Sequence, residues 1–358
     1  MSTTNVVPPV VATPPATGGS LAPAPALGDA IARRTGGPRW RELVGVAVGW
    51  VILVAVVAVV VQRGKLADSV VYIAIFGIAA IGYDAIVGIA GQLYLGLNGL
   101  IAIGAYGAGL LAIHATSSPV AGLAVGAAGG AVAAVLTGVI ALRLREFYFA
   151  IFTLAFGIFV EFTLIAWQDV TGGSTGLGPV PGMLGGSIVE PNYTAWIVFA
   201  GTILGLALIL GLYLNRSRPG RIWRTIARDE HLATAFGIRT TKYRFLVLAY
   251  GGGLAGVAGF MLARYTQFLS PEAFGMALAL QLILMVFLGG RGSVWGAIVG
   301  SAIVYGVNRY FSDRGDYGDI VLGGVFIAVL VVMPLGIAGG VRQLIRGARS
   351  GRARAAAP

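Results

Sequence analysis

Long apolar stretches alternate with short polar ones from residue 43 onward, and this pattern predicts about ten membrane-spanning helices. Each stretch is close to the roughly 20 apolar residues that an α-helix needs to cross a bilayer. The expected fold class is therefore all-α, a polytopic transmembrane helical bundle. The predicted spans are Leu43–Val61, Ser69–Ala90, Asn98–Ala115, Val120–Leu142, Tyr148–Trp167, Thr194–Leu214, Phe245–Ala263, Phe274–Gly289, Trp295–Val307 and Ile320–Ala338.

The basic residues give this bundle an orientation. With ten spans, 20 of the 25 Lys and Arg residues fall on one side of the membrane, and eight of them lie between residues 215 and 244. Loops that stay in the cytoplasm carry an excess of Lys and Arg. The count predicts that both termini and segment 215–244 are cytoplasmic, in a multi-pass membrane protein.

The two ends of the chain differ from the membrane domain, which we assign to residues 39–340. Residues 1–38 are rich in Pro, Ala, Thr and Gly, and we expect a disordered cytoplasmic tail there, without a secretory signal. Residues 341–358 carry five arginines, and we expect a basic cytoplasmic tail.

Composition narrows the possible functions. The chain is 57% hydrophobic and only 11% charged, whereas soluble domains carry about 25% charged residues. It has no cysteine and only two histidines, His114 and His231, in neither a metalloprotease nor a serine-hydrolase motif. No GxxxxGK[ST] motif is present, so the chain has no P-loop of its own for ATP. We therefore expect no enzyme, no bound metal or cofactor and, despite the net charge of +11, no nucleic-acid partner.

Glycines recur every four residues at three places, which indicates close helix packing. The three sets are Gly122, Gly126 and Gly130; Gly252 and Gly256; and Gly292, Gly296 and Gly300. Small residues on one side of a membrane helix let a second backbone approach and gain dispersion contacts. The sequence therefore predicts a tightly packed bundle.

Segment 215–244 is the longest charged stretch between apolar ones, and it predicts an amphipathic helix over residues 220–237. Ile222, Ile226 and Ala233 lie along one side of this helix, and Gly237 is a natural stop. Three arginines recur on another side: Arg221, Arg224 and Arg228. Such a helix either lies on anionic lipid headgroups or binds a soluble partner protein.

Two acidic residues fall within predicted spans, where an ionisable side chain is costly. Asp84 is followed by the glycine-rich stretch Gly88–Gly99, which predicts a break in the helix. Asp84 then either lines a solute route with this stretch or accepts backbone N–H bonds at the break. Glu161 is expected to pair or to reach toward the membrane surface. An ion-coupled secondary transporter that uses both carboxylates remains an alternative.

The loop from Gln168 to Asn192 contains no basic residue and much glycine and proline. On the outer face it could receive a soluble partner, form a lid or be a simple connection.

Several stretches together resemble one family, the inner-membrane permeases of branched-chain amino-acid ABC importers, and most closely their M-type member. The resemblance covers about residues 72–305, in the order of the family. The stretches that show the resemblance are YDAIVGIAGQLYLGLNGLIAIGAYGAGLLA, LRLREFYFAIFTLAFG, TGGSTGLG, GRIWRTIARDEHLATAFGIRTTKYRFLVLAYGGGLAGVAGFMLARYTQFLSPEAFG and MVFLGGRGSVWGAIVGSAIV.

The resemblance implies a set of partners. It implies a second homologous permease, two ATPase subunits that bind the ATP, an extracytoplasmic substrate-binding protein, the surrounding lipids and a small solute. It also implies a location in the bacterial cytoplasmic (inner) membrane. Segment 215–244 would be the coupling loop that docks on an ATPase subunit. Within it, Glu230, Ala233 and Gly237 resemble the family's Glu/Ala/Gly loop, beside the three arginines named above. The broken stretch with Asp84, Gln92, Tyr94 and Asn98 would belong to the translocation pathway.

Two positions depart from the family pattern in the broken stretch. Tyr94 stands where the family usually has Ser, and Asn98 stands where it usually has His. In the TGG loop, Ser174 and Thr175 fill the place where an Asn is usual. These differences leave the expected fold unchanged, and they keep urea, short amides and aromatic compounds open as substrates beside branched-chain amino acids.

Overall fold

The fold is taken from a computed structural model that describes residues 46–54, 57, 65–141, 144, 146–184, 192–312 and 323–324. The predicted first span is described only in its helical residues 46–54 and at residue 57. Most of the predicted tenth span, and both predicted tails, lie outside the described residues.

The regular secondary structure of the described residues is helical apart from one isolated antiparallel bridge between Leu177 and Leu269, and turns and loops connect the helices. We number the α-helices from residue 65 onward. They are α1 Lys65–Tyr83, α2 Leu97–His114, α3 Pro119–Ala141, α4 Glu146–Ala166, α5 Gln168–Thr171, α6 Tyr193–Arg216, α7 Arg218–Arg228, α8 Glu230–Ala235, α9 Thr240–Thr266, α10 Met276–Gly289 and α11 Val294–Ser312. A π-helix, Asp84–Ile89, extends α1, and two 3₁₀-helices lie at Gly173–Thr175 and Pro271–Phe274.

Seven stretches within the described residues are long and apolar enough to cross a membrane. They are Leu66–Ile89, Leu97–His114, Pro119–Ala141, Phe147–Ala166, Tyr193–Arg216, Thr240–Thr266 and Pro271–Gly289. These correspond to the predicted second to eighth spans, so the all-α membrane bundle is confirmed. The predicted ninth span lies within α11, which is not among the seven. The total of ten spans and the orientation of the termini stay predictions.

Helix α9 is the centre of the bundle and packs against α1, α2 and α3. Two of the glycine stripes make the contact between α3 and α9, as the four-residue spacing predicts. A Cβ placed on Gly126 would lie 2.8 Å from the carbonyl oxygen of Gly256, and one on Gly122 would lie 2.7 Å from the ring of Phe260. The backbones of α3 and α9 therefore touch directly, and a side chain at these positions has no room.

The charged segment departs from its prediction in two respects. The continuous amphipathic helix expected over residues 220–237 is wrong, because the chain breaks at Asp229 into α7 and α8. Asp229 is extended there, with φ −159° and ψ 108°, and caps the second helix. The following span begins at Thr240, five residues before the predicted Phe245, so the charged connection is shorter than expected.

Candidate translocation core and docking element

The broken stretch after α1 is held to the turn between α10 and α11 by a buried carboxylate. Asp84 is 1% exposed, and its Oδ1 accepts a hydrogen bond of 2.7 Å from the backbone N–H of Gly292. Gly88 permits this approach, because a Cβ there would lie 2.5 Å from the Gly292 nitrogen. Of the two roles weighed for Asp84, the geometry favours a backbone acceptor, although the amide it binds lies 208 residues away along the chain.

The irregular backbone expected after Gly88 is present. The π-helix ends at Ile89, and α2 begins only at Leu97. This irregular backbone packs against α4. The Leu95 N–H donates to the Thr153 hydroxyl at 3.0 Å, and a Cβ on Gly96 would overlap the Thr153 carbonyl. Non-helical backbone in a membrane is tolerated where protein surrounds it in this way.

Tyr94 connects the break to α3 rather than to open space. Its side chain is fully buried, and its hydroxyl lies 3.0 Å from the Thr137 hydroxyl. The ring packs edge-on against Phe149 of α4, with centroids 6.1 Å apart. The phenol thus fills the space between α3 and α4 with its polar atom bonded.

Asn98 joins the break to a second interruption, which lies between α9 and α10. Its Nδ2 donates to the carbonyl oxygens of Phe274 at 2.8 Å and Gly275 at 3.4 Å. Its Oδ1 lies against Gly157 of α4 and has no hydrogen-bond partner among the described residues. Asn98 is 2% exposed, so an amide oxygen is buried without a partner at this junction.

Gln92 lies at the contact between the break and α7. It is 9% exposed, and neither atom of its amide has a hydrogen-bond partner within the described part of the chain. It lines a cavity of about 50 Å³ together with Ile226, Ala227 and Arg244. Gly91, at φ +71°, brings the backbone so close to α7 that a Cβ would lie 3.0 Å from that of Ala227. The broken stretch and α7 are therefore in direct contact.

Helix α7 is held to the bundle by a tryptophan. Trp223 is 1% exposed, and its indole Nε1 donates to the Tyr243 carbonyl at 2.8 Å. Ile226 is also buried, whereas Ile222 is only half-buried. The buried side of α7 therefore runs through Trp223 and Ile226, and the sequence interpretation missed Trp223 as its main anchor.

The arginines of α7 lie on its outer side. Arg221, Arg224 and Arg228 are all exposed. Arg224 donates to the side chain of Asn215 at 2.8 Å and to its carbonyl, which ties α7 to the end of α6. Partial burial and repulsion from the two flanking arginines lower the pKa of Arg224. Crowded guanidinium groups of this kind favour an acidic or anionic partner surface.

Helix α8 presents apolar side chains outward. Its start is capped by Asp229, whose carboxylate accepts from the Leu232 N–H at 3.0 Å. Its end is closed by Gly237 at φ +74°, with the Ile238 N–H bonded to the Ala233 carbonyl. Ala233 is fully buried, whereas Leu232 is 51% and Phe236 is 75% exposed.

Glu230 has a partner within the chain. Its carboxylate forms a 2.7 Å salt bridge with Arg244 at the start of α9, and both side chains are partly exposed. Such a pair contributes roughly 0–1 kcal/mol. The predicted coupling residues thus divide into buried or paired ones (Ala233, Glu230), a helix stop (Gly237) and an exposed set, the three arginines.

The opposite end of the bundle carries an organised loop. Leu177 and Leu269 exchange backbone hydrogen bonds of 2.8 and 2.9 Å, and Val180 donates to Gln267 at 2.8 Å. Arg264 is fully buried and donates to the carbonyls of Pro181 at 2.7 Å and Ser117 at 2.6 Å. The described part of the Gln168–Asn192 loop is therefore fastened to α9. Arg264 was counted only as a charge in the sequence, because its partners lie far along the chain.

These features together define a class. A membrane bundle interrupted inside its spans, with a helix pair exposed at one end, is typical of polytopic transport proteins.

The chain belongs to the family described as branched-chain amino acid transport system / permease component, whose model matches residues 65–330. The sequence resemblance to this family is thereby confirmed.

Curated relatives agree with this assignment. The chain is 29% identical over 323 residues to the high-affinity branched-chain amino acid transport system permease protein LivM of Salmonella typhimurium, covering 82% of this chain and 73% of the relative. The same values hold for LivM of Escherichia coli K12. It is also 34% identical over 156 residues to LivH of Salmonella typhimurium, covering 43% of this chain and 49% of that protein. No solved structure matches the chain.

Proposed function

We propose that this chain is a permease subunit that carries branched-chain amino acids inward across the bacterial cytoplasmic membrane. In this proposal it pairs with a second, homologous permease, and two separate ATPase subunits bind the ATP. An extracytoplasmic binding protein delivers the amino acid. The family membership and the names of the relatives support the substrate class and the permease pair.

The observation that carries the proposal is the construction of α7 and α8. Trp223 and Ile226 fix α7 to the bundle, while Leu232 and Phe236 stand out from α8 beside exposed arginines. Exposed aromatic and aliphatic side chains next to Arg are typical of protein interfaces. Anchoring on one side and exposure on the other suit an element that receives force from an ATPase and passes it to the bundle.

The contact of α7 with the broken stretch supports the same function. Gly91 and Ala227 touch, and Gln92 lies beside Ile226. A displacement of α7 by the ATPase would therefore act directly on the interrupted backbone.

The opposite end of the bundle is suited to bind a substrate-delivering protein. The loop fastened by Arg264 leaves Trp167 57% and Phe268 49% exposed, next to exposed Ser174 and Thr175. A fixed loop with exposed aromatic rings can receive a partner without a large loss of conformational entropy.

An ion-coupled secondary transporter is the less favoured alternative. It would need Asp84 and Glu161 as ion or proton sites. One carboxylate oxygen of Asp84 is already bonded to the Gly292 amide, which ties this side chain to the helix packing.

Reconstitution tests the proposal. The permease pair is placed in liposomes with the ATPase subunits and the binding protein, and uptake of radiolabelled leucine is measured. We expect uptake to require ATP, the ATPase subunits and the binding protein together. Uptake by the permease pair alone, driven by a proton or sodium gradient, would support the secondary transporter. ATP-dependent uptake of urea or an amide in preference to leucine would contradict the substrate class.

A further inference from the structure

Two interruptions of the helical backbone meet halfway along α4. One is the break before α2, and the other is the 3₁₀ turn Pro271–Phe274 before α10. Asn98 bonds the second interruption and touches Gly157, which is close to the middle residue of α4. Both breaks thus lie at the level of the middle of α4, which is a membrane-spanning helix.

Each of the two helices that begin here has its third N–H group bonded within the first turn, Gly99 to the Gly96 carbonyl and Leu278 to the Gly275 carbonyl, which leaves its first two N–H groups for other partners. Neither Gly96, at the start of α2, nor Gly275, at the start of α10, provides a side-chain cap. The first N–H groups of a helix carry a partial positive charge and attract carboxylates. An anionic group is therefore favoured at this junction.

A carboxylate and an unsatisfied amide oxygen lie beside these helix ends. A Cβ on Gly275 would lie 2.9 Å from Glu161 Oε1, so the carboxylate stands directly over the start of α10. Glu161 is one helical turn after Gly157, which contacts the buried, unpartnered Oδ1 of Asn98. The Glu161 carboxylate and Asn98 Oδ1 both attract a cationic N–H donor. Among the described residues, no positively charged side chain is bonded to either group.

Glu161 is also placed unusually for a lipid-facing residue. It is half-buried on α4 between Phe159 and Phe162, which are 67% and 63% exposed. A carboxylate in contact with lipid is costly, and such residues usually face a polar cavity or a partner. Glu161 is thus placed as expected for a residue that meets a polar solute.

We propose that Glu161, Asn98 and the first N–H groups of α2 form a transient site for the zwitterionic head of an α-amino acid during translocation. This rests on the proposed amino-acid transport. The ammonium group is bound by the Glu161 carboxylate and Asn98 Oδ1. The carboxylate of the amino acid is bound by the first N–H groups of α2, since Glu161 already lies at the start of α10. The arrangement matches positive and negative ends of one small solute.

The principal test is Glu161→Gln in the complete reconstituted complex, with leucine uptake measured per ATP hydrolysed. Removal of the charge should lower this ratio about tenfold or more, because a hydrogen bond to a charged group is lost. Assembly with the partner subunits and the melting temperature should stay unchanged. Glu272→Gln is the matched control, since Glu272 is an exposed carboxylate of the same interruption whose partner is Ser270. It should leave the ratio unchanged.

The absence of cysteine allows a second measurement. Glu161→Cys introduces a single thiol, and its labelling by 2-aminoethyl methanethiosulfonate is followed in the mass of this chain. Leucine, supplied with binding protein and ATP, should slow the labelling several-fold. Phe162→Cys, one residue further on the same helix, should show no protection.

The outcomes separate the two proposals. If wild-type complex shows no ATP-dependent leucine uptake, the proposed function itself fails. If wild-type uptake is present but Glu161→Gln retains the full ratio and leucine gives no protection at position 161, the site is wrong. A fall in melting temperature with an unchanged ratio would mean that Glu161 only stabilises the start of α10, which also overturns the site.

Discussion

Two regions depart from regular spans: the broken stretch at residues 84–98 and the α7–α8 element at residues 218–237. They differ in how far their side chains are exposed. In the broken stretch, Asp84, Tyr94 and Asn98 are almost fully buried and bonded to residues far along the chain. In α8, Leu232 and Phe236 are exposed. Where water is absent, each polar group needs a protein partner, whereas a surface element can keep its contacts for another subunit.

This difference predicts where the molecule tolerates change. The core contacts are backbone on backbone and have no room, so even a methyl group is costly there. The α7–α8 element is fixed by few residues, so changes on its outer side should affect binding and leave the fold intact.

The largest effect on stability is expected for Gly256→Ala. The added Cβ would overlap the carbonyl oxygen of Gly126, so α3 and α9 must separate. Overpacking typically costs roughly 1–3 kcal/mol, and a clash with backbone lies at the upper end. We expect a strongly lowered melting temperature and yield of the purified protein.

Gly253→Ala is the matched control for this change on the same helix. Its Cβ would have its nearest neighbour at 3.6 Å, an ordinary contact. If both variants melt at the same temperature, the close packing of α3 and α9 is wrong.

A smaller loss of stability is expected for Asp84→Leu. The Gly292 N–H would be left without its acceptor at a partly buried position, which costs up to about 1–3 kcal/mol. Asp84→Asn retains an oxygen acceptor and should be closer to wild type in a thermal melt. Equal melting of all three proteins would show that this hydrogen bond does not hold the break.

The smallest effect on stability is expected at Asp229→Ala, in the α7–α8 element. Loss of an N-cap costs about 1 kcal/mol. Because α8 makes few contacts with the bundle, the change should appear as faster amide hydrogen exchange over residues 230–237 with little shift in melting temperature. Asp229→Asn, which keeps a capping oxygen, should exchange like wild type. Faster exchange throughout α9 would contradict the view that α8 is a separate unit.

Much of the fold was predictable because hydrophobic length is a strong signal in membranes. The second to eighth spans, the break after Gly88, the glycine contacts and the stop at Gly237 all follow from local patterns. The break at Asp229 also had a signal, since an Asp before Glu is a good start for a new helix. The 220–237 prediction gave more weight to the apolar spacing.

The remaining features depend on contacts that a single sequence does not reveal. Trp223 is buried because the Tyr243 carbonyl lies next to it, and Arg264 is buried because two distant loops supply its acceptors. The partner of Asn98 is 176 residues away along the chain. The translocation roles of Asp84, Gln92, Tyr94 and Asn98, and the coupling roles of the α7–α8 residues, stay predictions.

The most direct test of the account is the affinity of the ATPase subunits for the permease pair in lipid nanodiscs. Leu232→Ser together with Phe236→Ser should raise the Kd at least about tenfold, equivalent to 1.4 kcal/mol, without changing the melting temperature. Phe268→Ser, an exposed ring at the opposite end of the bundle, should leave the Kd unchanged. An unchanged Kd for the double variant would contradict the assignment of α7–α8 as the ATPase docking element.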